Sequence, residues 1–216
     1  MSVTNDTVKV WDPLVRIGHW ILVAAFFTAY FTEEELLTQH TWAGYVVAGV
    51  VLVRIAWGFI GSEHARFGDF VRSPGETLRY LREIATNRAK RFIGHNPAGG
   101  AMVVALLLSL VVTTWSGLEI YAIEENAGPL AGLYGDAATG PQLPTLVASA
   151  HASDDEHGNG LERAEEFWEE VHEVAANLTL LLVLLHVAGV VVASLSHREN
   201  LVKAMVSGRK ARGTGD

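Results

Sequence analysis

The sequence predicts an all-α integral membrane protein: a four-helix bundle with both termini in the cytoplasm. Three observations predict it. Four segments are long and almost free of charge: Leu14 to Phe31, Thr41 to Ile60, Ala98 to Tyr121 and Val174 to Leu195. Each has about the 17–25 residues that carry a helix across a hydrocarbon core. Half of the 216 residues are hydrophobic, and the mean hydropathy is positive, +0.24. The charges are segregated by sign. Between the second and third spans lie Arg66, Arg72, Arg79, Arg82, Arg88, Lys90 and Arg91, and the tail adds Arg198, Lys203, Arg209, Lys210 and Arg212. The first loop instead carries Glu33, Glu34 and Glu35, and residues 122–173 hold twelve acids against Arg163 alone. Positive loops stay inside, so the termini and the 61–97 loop are expected in the cytoplasm. An even number of spans agrees. Basic stretches that flank spans mean topology and anionic lipid rather than nucleic acid.

The first span is too long for a signal peptide and lacks a small-x-small cleavage site, so it is read as retained. It opens on Asp12 as N-cap and Pro13 at the first helical position. Arg16 and His19 follow within two turns, and Trp11 and Trp20 suit a membrane interface. The second span opens at His40. Gly44 and Ala48 follow at four-residue steps on its face. They leave a groove where something flat could lie, although small residues at this spacing also serve plain helix packing. Arg54 is the cation inside this span, two turns from its inner end. It either snorkels to the interface or pairs with an anion held there, such as a haem propionate.

In the inner loop, Ser73-Pro74-Gly75-Glu76 forms a capping box, and Leu78, Leu81, Ile84 and Ala85 recur behind it at helical spacing. An amphipathic helix on the inner membrane face is expected. Gly94 to Gly99 is a turn signal, with His95 expected to cap it rather than to meet a propionate. The third span has no histidine. The outer loop, 122–160, is rich in Gly, Pro, Ala and Asp without a strong period. The fourth helix is expected to begin near Leu161, in the aqueous phase. No internal repeat stands out.

Four histidines belong to spans or their rims: His19, His40, His172 and His186. A lone histidine at a membrane rim is commonly only interfacial. The joint pattern says more. His172 and His186 are fourteen residues apart, so they leave nearly one face of the last helix, separated by roughly 21 Å along its axis. By depth, His40 matches His172 near the outside and His19 matches His186 towards the inside. The second match is looser by several ångströms, since His19 is only six residues into its helix. Two pairs, each from two helices, are the arrangement for two six-coordinate haems in a helix bundle. His64 and His197 are expected to be solvated. His151 and His157, in the acidic loop, offer at most a weak metal site. Cysteine is absent, which excludes disulfides, iron–sulfur clusters, zinc-thiolate sites and covalent c-type haem.

Several segments together resemble the prokaryotic cytochrome b561 family, which includes the b-type cytochrome subunits of membrane-bound nickel–iron hydrogenases. They are Trp11-Asp12-Pro13 with Arg16-Ile17-Gly18-His19-Trp20, His40 with Gly44, Arg54-Ile55-Ala56-Trp57-Gly58, Gly94-His95-Asn96-Pro97, and Phe167 to His172 with His186. The resemblance covers residues 8–205, leaving 206–216 as a cytoplasmic tail. It implies two b haems in the bacterial inner membrane, with His19, His40, His172 and His186 as iron ligands. It also implies electron transfer between an outer redox partner and the quinone pool. That partner could be a hydrogenase, another dehydrogenase or a c-type cytochrome. Two alternatives stay open. One is a stand-alone quinone-linked oxidoreductase such as a superoxide oxidase. The other is a transporter or scaffold without cofactor.

Overall fold

Four helices form two antiparallel hairpins, and in a computed structural model each is long and apolar enough to cross a membrane. The structure describes residues 7–32, 36–86, 88, 90, 92–134 and 154–211, with side chains in the last stretch described for 160–210. Helix α1 spans Pro13–Phe31 and α2 spans Leu37–Ile60. Helices α3 (Phe67–Phe70) and α4 (Pro74–Ala85) follow in the loop. Helix α5 spans Pro97–Glu124 and α6 spans Asp154–Ser196. Helix α7 covers Leu201–Ser207. α1 packs along α2, α5 packs along α6, and α2 joins the hairpins by packing on α5.

The helix starts follow local chemistry. The Asp12 carboxylate accepts from Val15 N–H at 2.9 Å, with Pro13 behind it. Ser73 and Glu76 make the expected capping box: Glu76 N–H donates to Ser73 Oγ at 3.3 Å, and Ser73 N–H donates to the Glu76 carboxylate at 3.2 Å. α4 buries Tyr80 and leaves Leu78 and Leu81 half exposed. That apolar pair suits a lipid surface. At the start of α5 the cap is Asn96, which accepts from Gly99 N–H at 2.7 Å. The cap expected of His95 is therefore one residue off, and the histidine does something else.

Two spans are longer than the sequence suggested. α2 starts at Leu37, so His40 lies within its first turn. α6 starts at Asp154 rather than near Leu161. Its 43 residues extend about 65 Å, twice the thickness of a hydrocarbon core. The early start is legible in hindsight, because Asp154, Asp155 and Glu156 place acids in the first turn.

The apolar core lies midway along the bundle: Ala25 and Phe26 of α1, Val47 and Val51 of α2, Leu107 and Leu110 of α5, with Leu180 and Val183 of α6 against them. α5 and α6 meet through small and hydroxyl side chains. Thr179 is fully buried, donates to Ala175 O at 2.8 Å, and shares a 2.6 Å hydrogen bond with Ser109. Small residues of this kind let membrane helices approach closely. Outside, Leu52, Phe59, Leu108, Leu184 and Val191 are each more than half exposed. In water so large an apolar surface would be an aggregation liability; in lipid it is the ordinary exterior.

The chain ends meet at one end of the bundle. Strand β1 (Thr7–Lys9) pairs antiparallel with β2 (Arg209–Ala211). Gly208 turns the chain between α7 and β2 in the left-handed region, φ 78°. Its carbonyl accepts from Val10 and Trp11. A Cβ there would stand 2.8 Å from the Trp11 carbonyl oxygen, so glycine is required twice over. We call this the termini end, and the opposite one the loop end.

Candidate functional site

Helix α6 holds His172 and His186 fourteen residues apart, and α2 holds His40 and Arg54 at the same spacing. Each pair of positions leaves nearly one helix face, one member at each end of the bundle. The apolar core lies between the two levels.

At the loop end, the His40 and His172 rings face each other with centroids 6.0 Å apart. His40 Nδ1 lies 2.9 Å from Ala29 O. His172 Nδ1 lies 2.9 Å from Thr113 O and 3.1 Å from Ser116 Oγ. A carbonyl oxygen can only accept, so Nδ1 carries the proton in both rings. The lone pair is then on Nε2, as a metal ligand requires. Ser116, fully buried, donates to Val112 O at 2.9 Å and is thereby oriented to accept from His172. Gly117 makes room for the ring: a Cβ there would stand 2.9 Å from His172 Cε1. Next to His40, a Cβ on Gly44 would meet nothing within 4 Å. The space suggested beside Gly44 is real.

At the termini end, the His19 and His186 rings have centroids 6.4 Å apart. The depth mismatch expected between them is accommodated. α6 runs ten residues past His186 to Ser196, while the terminal strands and α7 occupy the level below the start of α1. Trp20 stands edge-on to His19 at 5.1 Å. His19 Nδ1 is sealed from solvent and has no hydrogen-bond partner among the described residues. The Arg54 guanidinium lies over the rings of Phe67 and Phe70, at 5.4 Å and 5.7 Å, and its Nη1 is sealed without a partner among the described residues. Asp12 is close enough to act on Arg54 electrostatically. Its oxygens, however, accept from Val15 N–H, Trp57 Nε1–H at 2.9 Å and Ser62 Oγ–H.

The charge surroundings of the two ends are opposite. Glu124, Glu165 and Glu169 converge at the loop end, with carboxylate oxygens within 4.8 Å of one another. Buried Glu119 accepts from Tyr134 Oη at 2.7 Å. Burial, together with that carboxylate, pushes the Tyr134 phenol up to about 12. At the termini end Arg16, Arg54 and Lys210 outnumber the acids beside them, Asp12 and Glu199.

The structure thus brings the four histidines picked from the sequence together in the expected pairs, and Arg54 lies at the termini end against Phe67 and Phe70. Sequence reasoning missed Thr113, Ser116 and Gly117. They lie on a span without histidine, and their signal is three small or hydroxyl residues within two turns. Neither His64 nor His197 is fully solvated. The His64 ring lies against Gly94 and the His197 Nε2 is sealed. His151 lies outside the described residues, and of His157 only the backbone is described.

Residues 10–208 match the family model described as prokaryotic cytochrome b561. The chain belongs to the prokaryotic cytochrome b561 family. These are b-type membrane cytochromes, so haem b and electron transport come with membership of the cytochrome b561 family. Among curated relatives, the chain is 26% identical to a probable Ni/Fe-hydrogenase B-type cytochrome subunit of Azotobacter chroococcum mcd 1, over 94% of this chain and 88% of that protein. It is 25% identical to the protein of the same name from Cupriavidus necator, over 92% and 85%. The one from Bradyrhizobium diazoefficiens is 23% identical, over 97% and 88%. No solved structure matches.

Proposed function

We propose that this cytochrome b561 holds two b haems and passes electrons from a hydrogenase-type partner outside the cytoplasmic membrane to the quinone pool. His40 and His172 would hold the iron of the outer haem, and His19 and His186 that of the inner one. Arg54 would pair with a carboxylate of the inner haem. Haem iron supplies reversible one-electron exchange when bound. The chain's own part is to fix the ligand pairs, their separation and the polarity around each.

The observation that carries this proposal is the ring separation. Two metal–imidazole bonds of about 2 Å in line with the half-widths of two rings separate the centroids by roughly 6 Å. The pairs stand at 6.0 Å and 6.4 Å. The protonated Nδ1 of His40 and His172, the open face at Gly44 and the sealed, unpaired Nη1 of Arg54 support it further. The hydrogenase partner rests on the names of the curated relatives. The positive termini end favours a cytoplasmic location for both termini. The acidic loop end favours a partner over a small anionic substrate such as superoxide, which it would repel.

The test is haem stoichiometry. Purified protein is expected to contain two haems b per chain with a bis-histidine spectrum. His186→Ala should remove one and His172→Ala the other. Retention of both haems in either variant would overturn the pairing.

A further inference from the structure

His95 is a partly buried titratable group that the proposed function leaves unused. It precedes α5 at the termini end, sandwiched between Trp11, with centroids 4.5 Å apart, and Phe70, at 4.6 Å. Its Nδ1 is sealed from solvent and has no hydrogen-bond partner among the described residues. Burying such a group unpaired costs free energy that a fold does not keep without return. The sandwich is built with care. Phe70 can approach α5 because residue 100 is glycine: a Cβ there would come 2.4 Å from Phe70 O. Trp11 is pinned from the other side by its hydrogen bond to Gly208 O.

The Phe70 ring is shared. His95 packs on it, and the Arg54 guanidinium lies over it at 5.7 Å. So two sealed and unpartnered nitrogens, His95 Nδ1 and Arg54 Nη1, belong to groups that touch one ring. The acids nearby are already engaged. Asp12 accepts from Val15, Trp57 and Ser62, and Glu199 lies 3.7 Å from Lys210 Nζ. Burial, reinforced by Arg54, Lys210, His64 and His186, pushes the His95 imidazole down to about 3. It is therefore neutral at any physiological pH, with one N–H to donate and no charge of its own. What this corner lacks, among the described residues, is a free anion with acceptor oxygens.

We propose that His95 is a positioning residue that donates a hydrogen bond to a carboxylate side chain of the inner haem, beside Arg54. The proposal rests on the assignment of an inner haem to His19 and His186. Arg54 supplies the charge and His95 supplies direction, since a ring clamped between two aromatic faces has little freedom to follow a wrong geometry. The terminal strands, through Trp11, then become part of a cofactor site.

The experiment compares haem b with its dimethyl ester, which keeps the ring and iron but has no carboxylate to accept from a charged or neutral donor as an anion. Both are titrated into the detergent-solubilised full chain carrying His172→Ala, which leaves the inner site alone. Affinity is read from the bis-histidine absorption. The parent is expected to prefer the diacid roughly tenfold or more, the range of charge-assisted hydrogen bonds. His95→Phe keeps the aromatic sandwich and removes the donor, and is expected to lose most of that preference. His95→Gln returns a donor and should recover part of it. An unchanged preference in His95→Phe overturns the proposal, as does a folded His95→Gln that discriminates no better than His95→Phe. If the parent takes up neither compound, the inner haem assignment itself fails, and this inference with it.

Discussion

Replacing Gly44 by Ala separates a bundle that only packs from one that holds a flat cofactor. Gly44 lies one turn after His40 on the same face of α2, and a Cβ there would meet nothing within 4 Å. For the protein alone, the change should stabilise. Alanine is favoured over glycine in a helix interior by about 1 kcal/mol, a factor of roughly five in the folded population. A flat group lying against that face reverses the sign, because the added methyl stands where the ring plane must come. A control is built into the same helix. A methyl added at Gly49 would also meet nothing within 4 Å, but nine residues at about 100° per residue put it opposite His40. Gly49→Ala should gain the same propensity without disturbing the cofactor.

The assay measures haem per chain and thermal unfolding for both variants. Gly49→Ala is expected to keep two haems and to unfold slightly higher. Gly44→Ala is expected to lose the loop-end haem, or to hold it at least tenfold more weakly, while its haem-free form is stabilised. A Gly44→Ala protein with two haems and raised stability would refute the idea that the cofactor lies on this face.

Two further outcomes follow. Ser116→Ala removes the hydroxyl 3.1 Å from His172 Nδ1 but leaves the Thr113 carbonyl at 2.9 Å. Both haems should remain, with a loss of about 0.5–1.5 kcal/mol in stability measured by chemical denaturation; loss of the haem would mean that the carbonyl alone does not orient the ring. Asp12 gives a pH signature. Burial raises its carboxyl, but hydrogen bonds from Ser62, Trp57 and the Val15 and Leu14 amides outweigh that and hold it below its ordinary value of 3.8. A lowered folded value contributes stability above the unfolded one, lost as pH falls through the folded value. Asp12→Asn should therefore cost stability at neutral pH and progressively less below pH 3.8, compared by thermal melts; a difference constant across that window would refute the link.

The four spans were legible because length and apolarity are properties of single segments, and lipid enforces both. The histidine pairs were legible because a fourteen-residue spacing fixes face and depth together. What was not legible depends on contacts between segments. The acceptance of His172 by Thr113 and Ser116, and the gap that Gly117 opens for it, exist only once α5 lies against α6. His95 seemed a turn residue because its neighbour Asn96 is the true cap, and a sandwich between Trp11 and Phe70 needs two distant segments. The clasp of the termini escaped notice for the same reason: three-residue strands about 200 positions apart carry no local period.

On the proposed reading of one haem at each histidine pair, the opposite charge of the two ends sets an order for the haem potentials. An electron arriving at an iron is a negative charge, so it is disfavoured near carboxylates and favoured near cations. At about 8 Å and an effective dielectric near 20, one unit charge changes its energy by about 2 kcal/mol. The loop end has Glu119 buried and Glu124, Glu165 and Glu169 clustered. The Nδ1 protons of His40 and His172 also go to carbonyls, which makes the ligands more basic and favours the oxidised iron. The termini end has Arg54 half-buried against Phe70, and together with Arg16 and Lys210 it outnumbers the acids Asp12 and Glu199; His19 Nδ1 has no acceptor among the described residues. Both terms point the same way: the inner haem should have the higher potential, so electrons run downhill from the loop end to the termini end. Redox titration of His186→Ala, which keeps only the outer haem, against His172→Ala, which keeps only the inner one, measures the two separately. Arg54→Gln should lower the inner potential and leave the outer one unmoved. A higher potential in the His186→Ala protein would reverse the order, and with it the direction of flow that the charges favour.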